Sequence, residues 1–264
     1  MKIDLSGKTA VVTASTQGIG LASARALAAA GAAVIVNGRH RAGVDRAVAA
    51  VQGDGGPAAV RGVAADMGSE QGCEALIAAE PRADILVNNA AFVGWEDLFG
   101  MKDDVWSRTW ETNVMAGVRL SRHYLCAMQA SGWGRVVFIS SESARNIQPS
   151  LIAYGASKLA LHAVSRGIAK RMAGSGVTCN VVMPGPTLSD GVERMLQPMA
   201  TEAGSTIEEA GVRFVLDNRS SSLIRRMATV DEVAAMVVYV CSVQASATSG
   251  SVLRVDGGVV DDVN

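Results

Sequence analysis

Short runs of consecutive apolar residues, each followed by a helix-like stretch, recur from one end of this chain to the other. Thr9–Thr13, Ala33–Val36, Val60–Ala64, Asp84–Val87, Arg135–Ile139, Val177–Val182 and Ser251–Val255 read as strands. A strand buried on one face alternates apolar and polar residues. Most of these runs do not, so both faces must be covered. Parallel strands joined by helical crossovers achieve that. The intervening segments Gly18–Ala30, Arg41–Gln52, Ser69–Glu80, Asp103–Ala130, Tyr154 to about Met172, and Thr229 to about Cys241 read as helices. Gly31 falls at a helix C-cap position, and Thr229-Val230-Asp231-Glu232 matches a capping box. The expected fold is a doubly wound parallel α/β sheet in one domain spanning 1–264, with ligands at the carboxyl ends of its strands.

The rhythm breaks between Pro184 and Arg226, a stretch rich in Gly, Ser, Glu and Met with helix-compatible pieces at Gly191–Ala200 and Ile207–Leu216. An insertion just beyond a strand end is where a substrate lid belongs. The net charge of −1 gives no global basic field, which excludes neither fold nor enzyme but argues against nucleic acid or an anionic membrane as partner. Cys73, Cys126, Cys179 and Cys241, and His40, His123 and His162, are dispersed without metal spacing, so no metal is expected. Met1-Lys2-Ile3-Asp4 opens with an acid and no apolar run, and no stretch reaches membrane length. A cytoplasmic location is the expectation.

The first strand runs into Thr13-Ala14-Ser15-Thr16-Gln17-Gly18-Ile19-Gly20 and straight into helix. Glycines at such a turn let the backbone approach a pyrophosphate, whose charge the helix N-terminus meets. The second strand ends at Val36-Asn37-Gly38-Arg39-His40-Arg41, without the Asp or Glu that chelates a ribose diol. Arg39 either meets a ribose 2′-phosphate or is, with Arg41, a solvated loop charge. The missing acid favours the phosphate, and therefore NADP(H) over NAD(H).

Tyr154 and Lys158 stand four residues apart on one face of a predicted helix. A free phenol titrates near pKa ~10. A cation within about 4 Å favours the phenolate by ~4 kcal/mol at an effective dielectric of ~20, before desolvation. Alone, such a pair also describes a half-buried ring beside a solvated amine.

With the glycine turn, Asn113, Ser141, Tyr154 and Lys158 together, the chain resembles the short-chain dehydrogenase/reductase family, a Rossmann-type fold. The turn is similar to the family's Thr-Gly-x-x-x-Gly-x-Gly, with Ala14 in place of the first glycine; Ala14 either tightens the turn or requires φ < 0. Asp66 matches the acid that holds the adenine amino group, with Met67 packing on the ring. Asn88-Asn89-Ala90-Ala91 resembles the family's Asn-Asn-Ala-Gly. Ser141, thirteen residues before Tyr154, matches the catalytic serine, with Ser140 its near competitor. Asn180 and Pro184-Gly185-Pro186-Thr187 resemble the segment that carries the nicotinamide carboxamide.

The resemblance implies reversible hydride transfer between a nicotinamide and a ketone or secondary alcohol. Tyr154 would be the acid/base, Lys158 would lower its pKa and hold the ribose, Ser141 would polarise the carbonyl, and Asn113 would position Lys158 through water. The implied cofactor contacts are Ser15, Thr16, Gln17, Gly18, Ile19, Gly20, Arg39, Asp66, Met67, Asn89, Ala90, Tyr154, Lys158, Pro184, Gly185 and Thr187. Met183, Leu188, Val192, Met195, Met199 and Trp95 either wall a substrate pocket or are packing residues. Glu142, Arg145 and Asn146 either recognise a polar substrate group or are salt-bridged loop residues. A homo-oligomer, dimer or tetramer, through the Asp103–Ala130 and Tyr154–Met172 helices is implied as well. An NADPH-sensing regulator, and an isomerase or dehydratase that retains its cofactor, are the alternatives on the same fold.

Overall fold

The computed structural model describes residues 2–54 and 59–263. Strand β1 (Thr9–Val12) leads into helix α1 (Gly18–Ala29), β2 (Ala33–Gly38) into α2 (Arg41–Gly53), and β3 (Val60–Ala64) into α3 (Glu70–Ala79). After β4 (Ile85–Asn88) come α4 (Asp103–Trp110), a π-helical turn (Glu111–Met115) and α5 (Ala116–Ser131). Then follow β5 (Gly134–Ile139), α6 (Ile152–Arg171), β6 (Val177–Pro184), β7 (Thr187–Leu188), α7 (Asp190–Ala203), α8 (Ile207–Asn218), β8 (Ala228–Thr229), α9 (Val230–Cys241) and β9 (Val252–Val255).

Seven strands form one parallel sheet in the order β3-β2-β1-β4-β5-β6-β9. Successive residues of each strand feed opposite faces, and both faces are dry. Val12, Val87, Val137 and Ile139 join Leu27, Ala47, Val237 and Cys241 under α1, α2 and α9. Val11, Leu86, Val136 and Phe138 join Leu76, Leu120, Tyr124 and Leu161 under α3, α5 and α6. This double burial is why the runs are apolar without alternation. The chain crosses from one side of the sheet to the other between β1 and β4, which opens a crevice at their carboxyl ends.

The helix expected over Asp103–Ala130 is present, but it widens into the π-helical turn at Asn113. Such local widenings put one side chain out of helical phase. Gly31 (φ +97°) follows α1 in the left-handed conformation a C-cap requires, and the Thr229–Glu232 capping box forms in full. The 184–226 stretch holds α7 and α8, packed on a small core of their own around Leu196, Ala200, Ala210, Val215 and Met227. The parallel pair β7–β8 pins that unit to the main body; nothing in the sequence pattern had marked strands so short. No helix among the described residues is long and apolar enough to cross a membrane, and none of their His, Cys, Asp and Glu side chains gather in a metal-binding group.

Candidate active site

The glycine turn after β1 is held by side chains rather than by its own backbone. Asn89, at the end of β4, donates through Nδ2 to the carbonyls of Thr13 (3.0 Å) and Ala14 (3.1 Å). Thr13 Oγ1 accepts from the amides of Asn89 and Ala90. From β2, Asn37 Oδ1 accepts the Ala14 amide (3.1 Å), and its backbone amide donates to Ser15 Oγ (3.0 Å). Asn37 Nδ2 donates to the Val63 and Ala65 carbonyls, so the whole side chain ties the turn to β2 and β3. Asn89, expected among the cofactor contacts, spends its side-chain donors on the turn itself.

Gly20 shows how tight this junction is: a Cβ there would lie 2.5 Å from the Ala14 carbonyl oxygen and 2.5 Å from Asn89 Nδ2. Ala14 adopts φ +49°, so neither a φ below zero nor a merely tightened turn describes it. An L-residue in the left-handed region carries about 1–2 kcal/mol of strain, partly offset by the lower unfolded-state entropy of alanine. Ala14→Gly is therefore expected to stabilise the protein by about 0.5–1 kcal/mol and raise Tm by about 1–3 °C. Calorimetry checks this, and an unchanged or lower Tm refutes the strain.

Two cavities flank the turn. The first, of about 270 Å³, is bordered by Ala14, Thr16, Gln17, Arg39, Asp66 and Met67. Arg39 is exposed and forms no ion pair among the described residues, whereas its neighbour Arg41 pairs with Asp45. Asp66 accepts the Gly68 amide, and Met67 is buried at the cavity wall. The second cavity, of about 320 Å³, is lined by Ile19, Asn89, Ser141, Tyr154, Lys158, Pro184, Gly185 and Thr187, and by Trp95, Val192 and Met195. At the turn itself the Gly18 amide donates to Asp190 Oδ2 (2.7 Å). A carboxylate from α7 therefore holds the place where the pattern predicts a phosphate. A larger cavity of about 520 Å³ lies at the opposite, amino-terminal ends of β5 and β6, around Arg135 and Arg166. There Arg135 donates to the carbonyls of Ser242, Gly134 and Gly176 and stitches loops together.

In the second cavity Ser141, from the end of β5, and Tyr154 and Lys158, from α6, converge. Lys158 is buried, and its Nζ donates to the Ile139 carbonyl (2.8 Å) and lies 5.6 Å from the Tyr154 ring centre. Burial pushes the Tyr154 phenol up to about 12, with the hydrogen-bonding Ser141 hydroxyl opposing and the Glu142 carboxylate reinforcing the rise. Burial also pushes the Lys158 ammonium down to about 8. The expectation that Lys158 holds the phenol low is not met in this state of the protein. Desolvation disfavours both charged forms and outweighs their attraction.

Ser140 turns away from the reacting groups, donating to the Lys158 carbonyl (3.1 Å) and meeting His162 Nε2 at 2.8 Å. Asn113 bonds both backbone groups of Phe92 (2.6 and 3.0 Å) and Ser157 Oγ (2.9 Å). Ser157 in turn donates to the Tyr154 carbonyl, so Asn113 reaches α6 through Ser157. Asn180 is remote from the site, bonding Thr248 and Ser251 in mid-sheet. Met183 is buried in β6, Leu188 packs on the α7–α8 core, and Met199 is exposed. Glu142 is buried beside Ser141, while Arg145 pairs with Asp262 at the surface and Asn146 is exposed. Arg219, which no sequence pattern marks, enters the second cavity from the end of α8 and pairs with Glu142 at 2.8 Å.

Known proteins resemble this chain over nearly all of its length. The family model described as enoyl-(acyl carrier protein) reductase matches residues 13–260. An uncharacterized oxidoreductase of Bacillus subtilis, YvaG, is 43% identical with all of both chains covered. The human dehydrogenase/reductase SDR family member 4 is 34% identical, covering 96% of this chain and 88% of the relative. The L-sorbose reductase of Gluconobacter frateurii, solved with NADPH and L-sorbose, superimposes over the full length of both chains with a TM-score of 0.92 at 29% identity. Sequence, sheet order and whole-chain similarity agree: the chain belongs to the short-chain dehydrogenase/reductase family, and it is an oxidoreductase of that type.

Proposed function

We propose that this protein transfers hydride reversibly between NADP(H) and a ketone or secondary alcohol, with Tyr154 as proton donor and acceptor. The observation that carries this reading is the convergence of Ser141, Tyr154 and Lys158 on one cavity that adjoins the glycine turn. The absence of a side chain at Gly20 lets α1 pack directly on the turn, and a cavity lies on each side of that turn for the two halves of a dinucleotide. The bound cofactor supplies the hydride chemistry. Thr16, Gln17, Gly18 and Ile19 line the phosphates, Arg39 faces the ribose 2′-phosphate, and Asp66 and Met67 border the adenine; Ser15, fully buried and bonded to the Val12 carbonyl and the Asn37 amide, and buried Gly20 support the turn from behind instead of touching the cofactor. Ala90, Pro184, Gly185 and Thr187 flank the nicotinamide half. Lys158 holds that ribose, and its charge beside the phenol favours loss of the Tyr154 proton in the oxidative direction. Ser141 and Tyr154 together hold the carbonyl oxygen as the proton moves. Residues 184–226 form the substrate lid, and the faces of α5 and α6 join copies of the chain.

The test is a panel of ketones, keto acids, sugars and acyl thioesters followed at the NADPH absorbance band, with NADH in parallel. Sugar ketones are included because the similar sorbose reductase was solved with one. No NADPH consumption with any carbonyl refutes the reading. Arg39→Ala is expected to raise KM for NADPH about 10–100-fold, since it removes a charge-assisted phosphate contact, and to leave KM for NADH within a factor of about 2. A native preference for NADH, or an equal effect on both, refutes the role of Arg39.

Asp190 competes with the pyrophosphate for the start of α1. Asp190→Asn keeps an acceptor for the Gly18 amide but removes the negative charge, and is expected to lower Kd for NADPH about 3–10-fold. Fluorescence titration reads this directly; weaker binding means that the carboxylate helps to assemble the site.

A further inference from the structure

Glu142 follows Ser141 in the chain and is buried, at 4% exposure. Its carboxylate is saturated with donors. Oε2 accepts from Ser141 Oγ (2.7 Å), from the Ser143 amide (2.8 Å) and from Ser143 Oγ (3.2 Å). Oε1 accepts from Arg219 Nε and from a terminal nitrogen of the same guanidinium, both at 2.8 Å. Arg219 also donates to the Asn218 carbonyl (2.8 Å), and Gln148, with its amide oxygen turned inward, accepts from both terminal guanidinium nitrogens. The side chains of the ion pair are 6% and 8% exposed.

Two features separate this pair from an ordinary loop salt bridge. Its arginine comes from the last turn of the α7–α8 unit, whereas its carboxylate sits on the turn that carries Ser141, so the pair joins lid to site. Its carboxylate also accepts a charge-assisted hydrogen bond from the Ser141 hydroxyl. Ser141 has one hydrogen to give. With that hydrogen directed at Glu142, the serine oxygen accepts from the Ser143 amide (3.2 Å) and has the Tyr154 phenol as its other neighbour. A carboxylate with five donors has no capacity left for a substrate hydroxyl, which argues for organisation of the site and against direct recognition.

We propose that Glu142 and Arg219 are positioning residues: the lid's guanidinium fixes the carboxylate, and the carboxylate fixes which way the Ser141 hydroxyl points toward Tyr154. This inference rests on the catalytic reading of Ser141 and Tyr154 given above. The charged groups around the phenol are Lys158 on its own helix, Glu142 on the Ser141 turn and Arg219 at the end of α8; beyond Lys158, His162 is kept neutral by burial and by the charges of Arg145 and Lys158.

The test uses full-length protein with ¹³Cζ-labelled tyrosine. Only three tyrosines are present, and Tyr154→Phe assigns the resonance of interest. In Glu142→Gln the Tyr154 midpoint is expected to fall by about half a pH unit or more, because a neighbouring negative charge is gone. The kcat for carbonyl reduction is expected to fall about 10-fold or more, with KM for NADPH within about 3-fold. Arg219→Lys keeps both charges but loses the fork, so it should hold the Tyr154 midpoint and recover part of kcat. If Glu142→Gln does not fold, the double variant Glu142→Gln with Arg219→Gln, which buries no unpaired charge, carries the same titration. A Tyr154 midpoint equal to wild type, whatever happens to stability or kcat, makes the pair a structural staple and overturns the proposal. Absence of any carbonyl turnover by wild type would instead sink the catalytic reading, and the titration would still decide whether the pair governs Tyr154.

Discussion

Tyr154→Phe is expected to reduce carbonyl turnover by a factor of about 10²–10⁴, the range for loss of a positioned general acid, while Kd for NADPH changes by less than about 3-fold. The ring is half-buried against the cavity and keeps its packing without the hydroxyl. Only the proton source and the Ser141 partner disappear, so the loss falls on kcat rather than on folding or cofactor affinity. The high pKa of the phenol, about 12, makes the direction of reaction informative. For reduction the protonated form is the working form, and it is fully populated at neutral pH. For oxidation the phenolate must form, so the rate rises with pH until Tyr154 is deprotonated. Rapid-mixing kinetics in both directions with matched cofactor saturation measure this. Residual reduction above about a tenth of wild type would remove Tyr154 from the proton path.

Gly20→Ala carries the second large effect, on binding and stability together. The new methyl would meet a carbonyl oxygen and an amide nitrogen, each at 2.5 Å, and the carbonyl is backbone. Neither neighbour moves freely, because Ala14 and Asn89 belong to the lattice of bonds that joins β1, β2 and β4. Overpacking of this kind costs about 1–3 kcal/mol, seen as a fall in Tm of about 2–9 °C for a chain of this size. Widening the turn also withdraws the α1 amides from the pyrophosphate, and NADPH affinity is expected to drop about 10-fold or more. Calorimetry with and without NADPH separates the two losses. A variant that keeps both its Tm and its ligand-induced shift would show that the junction yields at no cost.

These two residues mark how differently information lies along the chain. Gly20 was legible because a strand-turn-helix junction needs glycine where backbones touch, and that need is local. The sheet strands were legible for the same reason: the central ones must be apolar on both faces, and period and length report it directly. Tyr154 and Lys158 were visible as a spacing, with chemical meaning only beside Ser141 and Asn113. The long helix after β4 was legible, but its π-helical turn at Asn113 was not, since its side chain's partners, Phe92 and Ser157, lie on other segments.

Electrostatics was the least legible layer. Spacing alone suggested that Lys158 holds the tyrosine low, whereas burial of both groups drives the phenol up and the ammonium down. Desolvation depends on everything packed around a residue, and no local pattern encodes it. The same limit hid Arg219, an isolated arginine at a helix end. It also left Glu142 undecided between substrate contact and loop bridge until the lid brought the two together over 77 residues of chain.

By itself, then, the sequence determined the parallel α/β sheet, the glycine turn and the residue types a proton-transfer site requires, because periodicity, backbone freedom and helical spacing are short-range properties. The tertiary structure decided which of Ser140 and Ser141 faces Tyr154, why Asn180 and Met183 stand outside the site, and how Arg219 and Asp190 reach it from the α7–α8 unit. Those outcomes depend on long-range packing and on the removal of water, which only the folded chain brings about.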